Sequence, residues 1–160
     1  MTLGIIIAAK YLFLLSPILV LYALWGVPRE ERRRFFIISA LSFPLAYILG
    51  KLAGYAYFNP QPFVVEGFIP LVSHVADNAF PSDHTLLAAT CAAVVFVFNT
   101  RIGVLAWGVA IGVGIGRVLA GVHHPIDVIA SIVISILVVS LVVSYVEKPL
   151  RSYIERFTVT

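Results

Sequence analysis

Two short polar segments contain most of the residues that could do chemistry. The first extends from Arg117 to Asp127. Pro125 fits the first turn of a helix, which places Asp127 about one helical turn beyond His123. A carboxylate at that position can hold the Nδ1–H of the imidazole and leave Nε2 unprotonated, an arrangement that suits a nucleophilic histidine. Arg117 can present its planar set of donors to phosphate oxygens.

The second segment, Phe80–Thr85, precedes an apolar run. Ser82 or Asp83 before a helix acts as a cap, and the free backbone N–H groups at a helix start attract anions. Ser82 alone is equally compatible with a purely structural cap. His84 in the first turn is placed to donate a proton to a leaving oxygen. The segment therefore predicts a general acid beside an anion site.

Two other interpretations of these residues remain open. His84, His123, His124 and Asp127 are all side chains of the kind that bind metals. The neighbouring cations suit an anion better than a divalent metal, so we predict no metal site. Arg117 and Asp127 are also compatible with a buried ion pair that has no chemical role.

The composition indicates which elements hold these segments. The 160-residue chain is 61% apolar and 12% charged, whereas soluble domains have roughly 25% charged residues. The net charge of +3 does not indicate nucleic-acid binding, because the cations cluster at the ends of apolar runs. We predict a single membrane-embedded domain, residues 1–160.

Five stretches are apolar enough to form membrane helices. The predicted fold is therefore an all-α, polytopic membrane helix bundle with a long outer loop at Phe58–Asp83. The predicted spans are approximately Leu3–Trp25, Phe35–Tyr57, His84–Phe98, Ile102–Ala120 and Ile126–Val146.

The basic residues predict the orientation of this bundle. Eight of the 11 cations would lie on one side if there are five spans, and this side should be the cytoplasm. They are Arg29, Arg32, Arg33, Arg34, Arg101, Lys148, Arg151 and Arg156. We therefore predict a multi-pass plasma-membrane protein with a cytoplasmic C-terminus and all four histidines on the outer face.

Three cations lie within or near the apolar spans, where a charge is costly and often functional. Lys10 can extend its ammonium group to the outer interface. Lys51 and Arg117 lie toward the outer ends of their helices and can approach the outer loops. Gly108, Gly112 and Gly116 recur every four residues, a spacing that predicts close helix packing and would hold Arg117 in place.

These residues resemble the signatures of the type 2 phosphatidic acid phosphatase (PAP2) superfamily. The pattern Arg-x5-His-x3-Asp at Arg117, His123 and Asp127 looks like its third signature. Pro81–His84 resembles its second, usually Pro-Ser-Gly-His, and Lys51 with the Pro-rich stretch after it resembles its first.

The resemblance implies a role for each residue. His123 attacks phosphorus and forms a phosphohistidine, and Asp127 orients it. His84 protonates the leaving oxygen and then activates water. A phosphate cradle is expected from Lys51, Arg117, Ser82 and the backbone around Asp83. The family requires no metal or other cofactor.

This chain departs from the family pattern at three positions. Two Pro pairs follow Lys51, Asn59-Pro60 and Gln61-Pro62, and neither contains the expected arginine; the second pair looks like the better match and puts Lys51 further away than usual. Gln61 can hydrogen-bond a phosphate but brings no charge. Asp83 replaces the usual glycine and adds a negative charge near the phosphate. Gly116 replaces a serine that often precedes the arginine.

The segment from Glu66 to His84 is similar to the bacterial undecaprenyl-diphosphatase branch of the family. The expected substrate is undecaprenyl diphosphate, whose tail stays among membrane lipids. The alternatives are another lipid phosphate, such as phosphatidylglycerol phosphate, phosphatidic acid or lipid A, or a non-catalytic protein that binds or transports a lipid phosphate.

Overall fold

The chain folds into helices joined by short turns and one long loop. The computed structural model describes residues 2–158, with side-chain surroundings for residues 2–147. A 3₁₀ helix at Leu12–Leu14 separates the first two α-helices. The α-helices are α1 (Thr2–Lys10), α2 (Leu15–Gly26), α3 (Arg29–Ala56), α4 (Pro62–Glu66), α5 (Asp83–Phe98), α6 (Thr100–Leu119) and α7 (Pro125–Thr158).

The helices confirm the prediction of an all-α membrane bundle. Within the described residues, α3, α6 and the Pro125–Glu147 part of α7 are each long and apolar enough to cross a bilayer, and α1 with α2 adds a fourth candidate span. Large apolar side chains such as Trp25 and Leu137 are exposed on the outside. Lipid can solvate that surface at no hydrophobic cost. The chain is thus an integral membrane protein.

The predicted first span, Leu3–Trp25, is not a single straight helix. The helical path bends by 43° between α1 and the segment that follows Tyr11. Pro17 gives a physical reason, because it lacks an N–H and its ring clashes with the carbonyl four residues earlier in a continuous helix. In the structure Pro17 lies in the first turn of α2, where both effects are tolerated.

The short helix α5 forms the centre of the bundle, in contact with α2, α3, α6 and α7. Ten of its 16 residues are buried. Its alanines, including Ala88 and Ala92, pack against Ala106 and Ala110 of α6. Small side chains let these helices approach closely. A helix surrounded by others has little surface to match to lipid, which is consistent with its short length.

Buried hydroxyl groups fix the start of α5 against the start of α7. Ser131 donates to the Ser82 carbonyl at 2.9 Å, and Ser135 donates to the Leu86 carbonyl at 3.2 Å. The Ser135 and Thr90 hydroxyls are 3.0 Å apart. Hydrogen bonds of this kind hold membrane helices in register. They bring the two helix starts that carry the candidate chemistry to the same end of the bundle.

The glycine spacing on α6 predicts packing correctly at two of three positions. An added Cβ at Gly116 would lie 2.8 Å from the Ala8 Cβ, and one at Gly112 would lie 3.1 Å from Leu12. Gly108 faces open space. The contact therefore covers only the part of α6 that faces α1 and the 3₁₀ helix. The close approach of α1 leaves no room for a side chain at Gly116, the position where the family signature often has a serine.

The opposite end of the bundle carries the basic segment of α3. Arg34 bonds to Glu31 at 3.0 Å and pairs with Glu147, which ties the start of α3 to α7. Its guanidinium lies 5.2 Å from the centre of the Phe98 ring. The side chains of Lys148, Arg151 and Arg156, which were predicted to share this side, lie outside the residues whose side chains are described.

Candidate active site

A tight turn between α6 and α7 presents His123. Gly121 has a φ of 78°, a conformation that favours glycine, and an added Cβ there would meet the Phe68 ring at 2.4 Å. The Val122 N–H bonds back to the Arg117 carbonyl at 3.3 Å. The turn thus reverses the chain within a few residues, so that His123 lies next to the last turn of α6.

Asp127 is completely buried and accepts hydrogen bonds from two fixed donors. Its Oδ2 accepts the backbone N–H of His124 at 2.7 Å, and its Oδ1 accepts the side-chain amide of Asn59 at 2.7 Å. The first of these bonds caps α7, because a carboxylate in the first turn reaches back to the residue before the helix. The carboxylate is therefore held by its own helix and by the outer loop.

The ring of His123 lies between this carboxylate and Arg117. Its Nδ1 is 3.5 Å from Asp127 Oδ2, longer than a normal hydrogen bond, and has no closer partner among the described residues. Its Nε2 is 3.2 Å from Arg117 Nη2. Because an arginine can only donate, Nε2 must accept and the ring proton must lie on Nδ1, facing Asp127. This is the tautomer that a nucleophilic histidine needs.

Arg117 is fixed by the break between α1 and the 3₁₀ helix. Its Nη1 donates to the Ala9 carbonyl at 3.4 Å, one of the carbonyls that a helix end leaves without an intrahelical partner. Its buried Nε has no hydrogen-bond partner among the described residues. The break that the sequence did not predict thus positions the guanidinium and leaves one buried donor for a further acceptor.

His84 lies in the first turn of α5, at the same end of the bundle. The Ser82 N–H bonds to the Asp127 carbonyl at 3.3 Å, so the start of α5 contacts the start of α7 directly. The His84 ring packs edge-on against Phe13, with 4.6 Å between ring centres. The histidine is half-buried. It therefore borders the site from the helix opposite the turn that carries His123.

Lys51 and Asp83 form an exposed ion pair between α3 and α5. The ammonium nitrogen lies 2.9 Å and 3.1 Å from the two carboxylate oxygens of Asp83. Lys51 therefore contacts the first residue of α5. The pair also compensates the negative charge that Asp83 adds to this segment.

Two predicted cradle residues have other hydrogen-bond partners in the structure. The Ser82 hydroxyl is buried and lies 3.0 Å from the Thr85 hydroxyl. Gln61 is fully buried, and its amide bonds to the Val75 carbonyl and to Asp77. Both donors of Gln61 and its amide oxygen are engaged within the outer loop, and no hydrogen bond joins Gln61 to His123 among the described residues.

Sequence reasoning did not select two residues that the structure places at the site. Asn59 bonds to Asp127, and the ring of His74 packs edge-on against His123, with 5.8 Å between ring centres. The clustering of all four histidines on one side was a signal for His74. Asn59 belongs to the other Pro pair that follows Lys51, but nothing in the sequence indicated its contact with Asp127, because that contact depends on how the loop folds back on α7.

A cavity of about 570 Å³ borders the site on the side of α4. His123 and His124 line it, together with α4, the loop after it and the end of α6. Arg117, His84 and Lys51 do not line it, so it lies beside the constellation of charged groups. Within the described residues, no group of three or more His, Cys, Asp or Glu side chains is arranged to hold a metal ion.

The sequence pattern of the PAP2 superfamily matches residues 35–151, most of the chain. The bacitracin transport permease protein BcrC of Bacillus licheniformis is 36% identical over 126 residues, which are 78% of this chain and 61% of that protein. The undecaprenyl-diphosphatase BcrC of Bacillus subtilis (strain 168) is 31% identical over 117 residues, 71% of this chain and 59% of that one. The chain thus spans about three fifths of the length of these relatives.

Two solved structures have the same fold. The crystal structure of Aquifex aeolicus LpxE aligns with a TM-score of 0.68 and 25% identity, over 90% of this chain and 83% of that one. The transmembrane PAP2-type phosphatidylglycerolphosphate phosphatase of Bacillus subtilis aligns with a TM-score of 0.58 and 24% identity, over 92% of this chain and 75% of that one. The signatures, the membrane bundle and the match over residues 35–151 agree, and the chain belongs to the PAP2 superfamily.

Proposed function

We propose that this chain hydrolyses a lipid-linked phosphate through a phosphohistidine at His123. The observation that carries the proposal is the arrangement around that ring. Nε2 accepts from Arg117, and Nδ1 faces a buried carboxylate. An unprotonated nitrogen next to a guanidinium is suited to attack a phosphoryl group whose oxygens the same guanidinium binds.

The reaction would proceed in two steps. In the first, the Nε2 lone pair forms a bond to phosphorus, the bond to the lipid oxygen breaks, and His84 donates a proton to that oxygen. In the second, His84 takes a proton from water, the oxygen attacks phosphorus, and the P–N bond returns its electron pair to Nε2. Inorganic phosphate leaves, and both histidines regain their starting protonation states.

The charges support this role for the site. Arg117 has one buried donor, Nε, without a partner among the described residues, and a phosphoryl oxygen is a matching acceptor. Lys51 adds a second cation at the start of α5. Preorganised donors of this kind stabilise the charge that develops on the transferred phosphoryl group. Asp127 would stabilise the positive charge that the His123 ring acquires.

Undecaprenyl diphosphate is the substrate we propose. Relatives from Bacillus subtilis and Sulfolobus acidocaldarius carry the name undecaprenyl-diphosphatase. A cavity of about 260 Å³ between α3 and α5 begins at Asp83 and continues along Leu86 to Thr90, which gives the first part of an apolar tail a place beside the charged groups. The basic end of the bundle at Arg34 supports an outward-facing site with the C-terminus in the cytoplasm.

Transport or binding without hydrolysis is the second candidate, because one relative is named a bacitracin transport permease. The two functions differ in whether a covalent bond is broken. A protein that only binds the lipid does not need a histidine whose proton is held on Nδ1 so that Nε2 is free to attack phosphorus. The geometry around His123 therefore favours hydrolysis.

The test is phosphate release by the purified chain in detergent. We expect inorganic phosphate from undecaprenyl diphosphate and at least tenfold slower release from phosphatidic acid, phosphatidylglycerol phosphate and lipid A, a modest factor for enzyme specificity. His123→Ala should abolish release. No release from any of these lipids by the wild type would contradict hydrolysis, and a preference for another lipid would contradict the proposed substrate.

A further inference from the structure

His74 is a titratable group at the site to which the mechanism above assigns no role. It lies in the outer loop, and its half-buried ring meets the ring of His123 edge-on at an interplanar angle of 71°. The 5.8 Å between ring centres is within the range of aromatic contact. A phosphoryl group on His123 would therefore lie within reach of His74.

The loop holds His74 in this position from both sides. On one side, the Leu71 N–H bonds to the Ala120 carbonyl at the end of α6, at 3.1 Å. On the other side, Gln61 donates to the Val75 carbonyl at 3.1 Å, and its amide oxygen accepts the Asp77 N–H at 3.0 Å. Gln61 also donates to the Asp77 carboxylate. The segment that carries His74 is thus bonded to the bundle and to a fully buried amide.

This arrangement gives Gln61 a different part from the one its sequence position predicts. The arginine expected there would bring a positive charge to the phosphate. Gln61 instead uses its whole amide to fix the residues next to His74. A charge supplied by His74 would replace the one that the substitution removes.

The electrostatic surroundings of His74 suit a charge that appears on phosphate binding. Burial lowers the pKa of His74 from its usual value, and the positive charge of the nearby Arg117 guanidinium lowers it further. Asp77 and Asp83 act in the opposite direction. A bound phosphate would screen the charge of Arg117 and add negative charge, so that protonation of His74 becomes favourable.

We propose that His74, as an imidazolium, binds the non-bridging oxygens of the phosphoryl group at His123, and that Gln61 is the positioning residue that holds it there. The inference rests on the proposed function, because it concerns how the same phosphate is bound. It assigns the missing cation of the cradle to a residue in the outer loop.

The first test compares His74→Ala and His74→Gln with Val65→Ala, a control at an exposed side chain of α4. Charged hydrogen bonds of this kind contribute about 10- to 100-fold in affinity. We expect His74→Ala to raise KM for undecaprenyl diphosphate by at least about tenfold, with a smaller change in kcat. His74→Gln, which keeps a donor without the charge, should recover only part of this loss, and Val65→Ala should match the wild type.

The second test uses inorganic phosphate as the probe and does not depend on turnover. Calorimetry in buffers of different ionisation enthalpy should show that the wild type takes up more protons on binding phosphate than His74→Ala does. The difference in phosphate affinity between the two proteins should shrink between about pH 6 and about pH 8, as the histidine loses its proton. His84, His123, Arg117, Asp77 and Asp83 face the same region and remain present in both proteins.

The double variant separates positioning from contact. Gln61→Ala should raise KM in the wild-type background but change it less than twofold in the His74→Ala background, because it acts through His74. Equal phosphate affinity and equal proton uptake in wild type and His74→Ala would overturn the inference. If the wild type binds phosphate in this way but releases none from any lipid, the proposed function fails while the assignment of His74 stands.

Discussion

Replacement of Asp127 by asparagine tests how the carboxylate serves His123. In the structure the carboxylate faces three donors: the Asn59 amide, the His124 backbone N–H and the His123 Nδ1. An asparagine at position 127 can point its side-chain oxygen at the His124 backbone N–H and the His123 Nδ1–H. Asn59 can then rotate its amide and present its own oxygen to the new NH₂ group. We therefore expect Asp127→Asn to fold and to keep the proton of His123 on Nδ1.

What the variant loses is the negative charge beside the ring. Two unit charges separated by the 3.5 Å between Asp127 and His123 interact by about 5 kcal/mol at an effective dielectric constant of about 20. The amide oxygen keeps a hydrogen bond that contributes about 1 kcal/mol. The remaining 3–4 kcal/mol, roughly, corresponds to a loss of about 10²- to 10³-fold in kcat/KM.

The assay is phosphate release from undecaprenyl diphosphate at low and at saturating substrate, with the melting temperature measured on the same preparation. Glu30→Gln, at an exposed carboxylate in the first turn of α3, is the matched control and should leave kcat/KM unchanged. A folded Asp127→Asn protein within about threefold of the wild type, a difference below 1 kcal/mol, would refute the assignment of Asp127 as the group that stabilises the charged ring.

Three further variants test other parts of the account. Asn59→Leu removes a hydrogen bond to the buried Asp127 carboxylate, which contributes about 1.5–3 kcal/mol. It should therefore lower kcat about tenfold or more with little change in KM. A change confined to KM would contradict the action of Asn59 through Asp127. Gly116→Ala should lower the melting temperature and the activity, because its Cβ meets α1. Gly108→Ala faces open space and should be neutral or slightly stabilising. Equal melting temperatures for the two variants would contradict the close contact between α6 and α1. Lys51→Met should lower kcat/KM by about tenfold or more. Its melting temperature should shift by at most about 4 °C, because an exposed ion pair contributes only about 0–1 kcal/mol to stability. Unchanged kcat/KM would exclude Lys51 from the phosphate site.

The sequence predicted which residues lie together at one end of the bundle, because apolar spans reverse direction at each turn. Arg117, His123 and Asp127 flank one turn, and His84 begins another helix, so the direction of the helices alone brings them to one end of the bundle. The structure places them there, and the contact between Arg117 and His123 Nε2 implies the tautomer of the ring. Short sequence separations and helix periodicity are sufficient for this part of the geometry.

The contacts made by the long loop and by the helix break depend on tertiary structure. Nothing in the local sequence places the Ala9 carbonyl against Arg117 or the Asn59 amide against Asp127. Gln61 was predicted as a phosphate ligand from its place in a signature, but the fold of the loop directs its amide to Val75 and Asp77. Such contacts join residues far apart in the chain, where neither spacing nor composition carries a signal.

The most direct test of the central claim is to trap the phosphorylated protein. The purified chain, mixed with undecaprenyl diphosphate labelled on the terminal phosphate and quenched rapidly, should carry an acid-labile and alkali-stable label that peptide mapping places on His123. His84→Ala should form this label more slowly than the wild type and also lose it more slowly in a chase with unlabelled substrate, because His84 serves both steps. Phosphate release by the wild type without label on His123, or with full turnover in His123→Ala, would contradict the account.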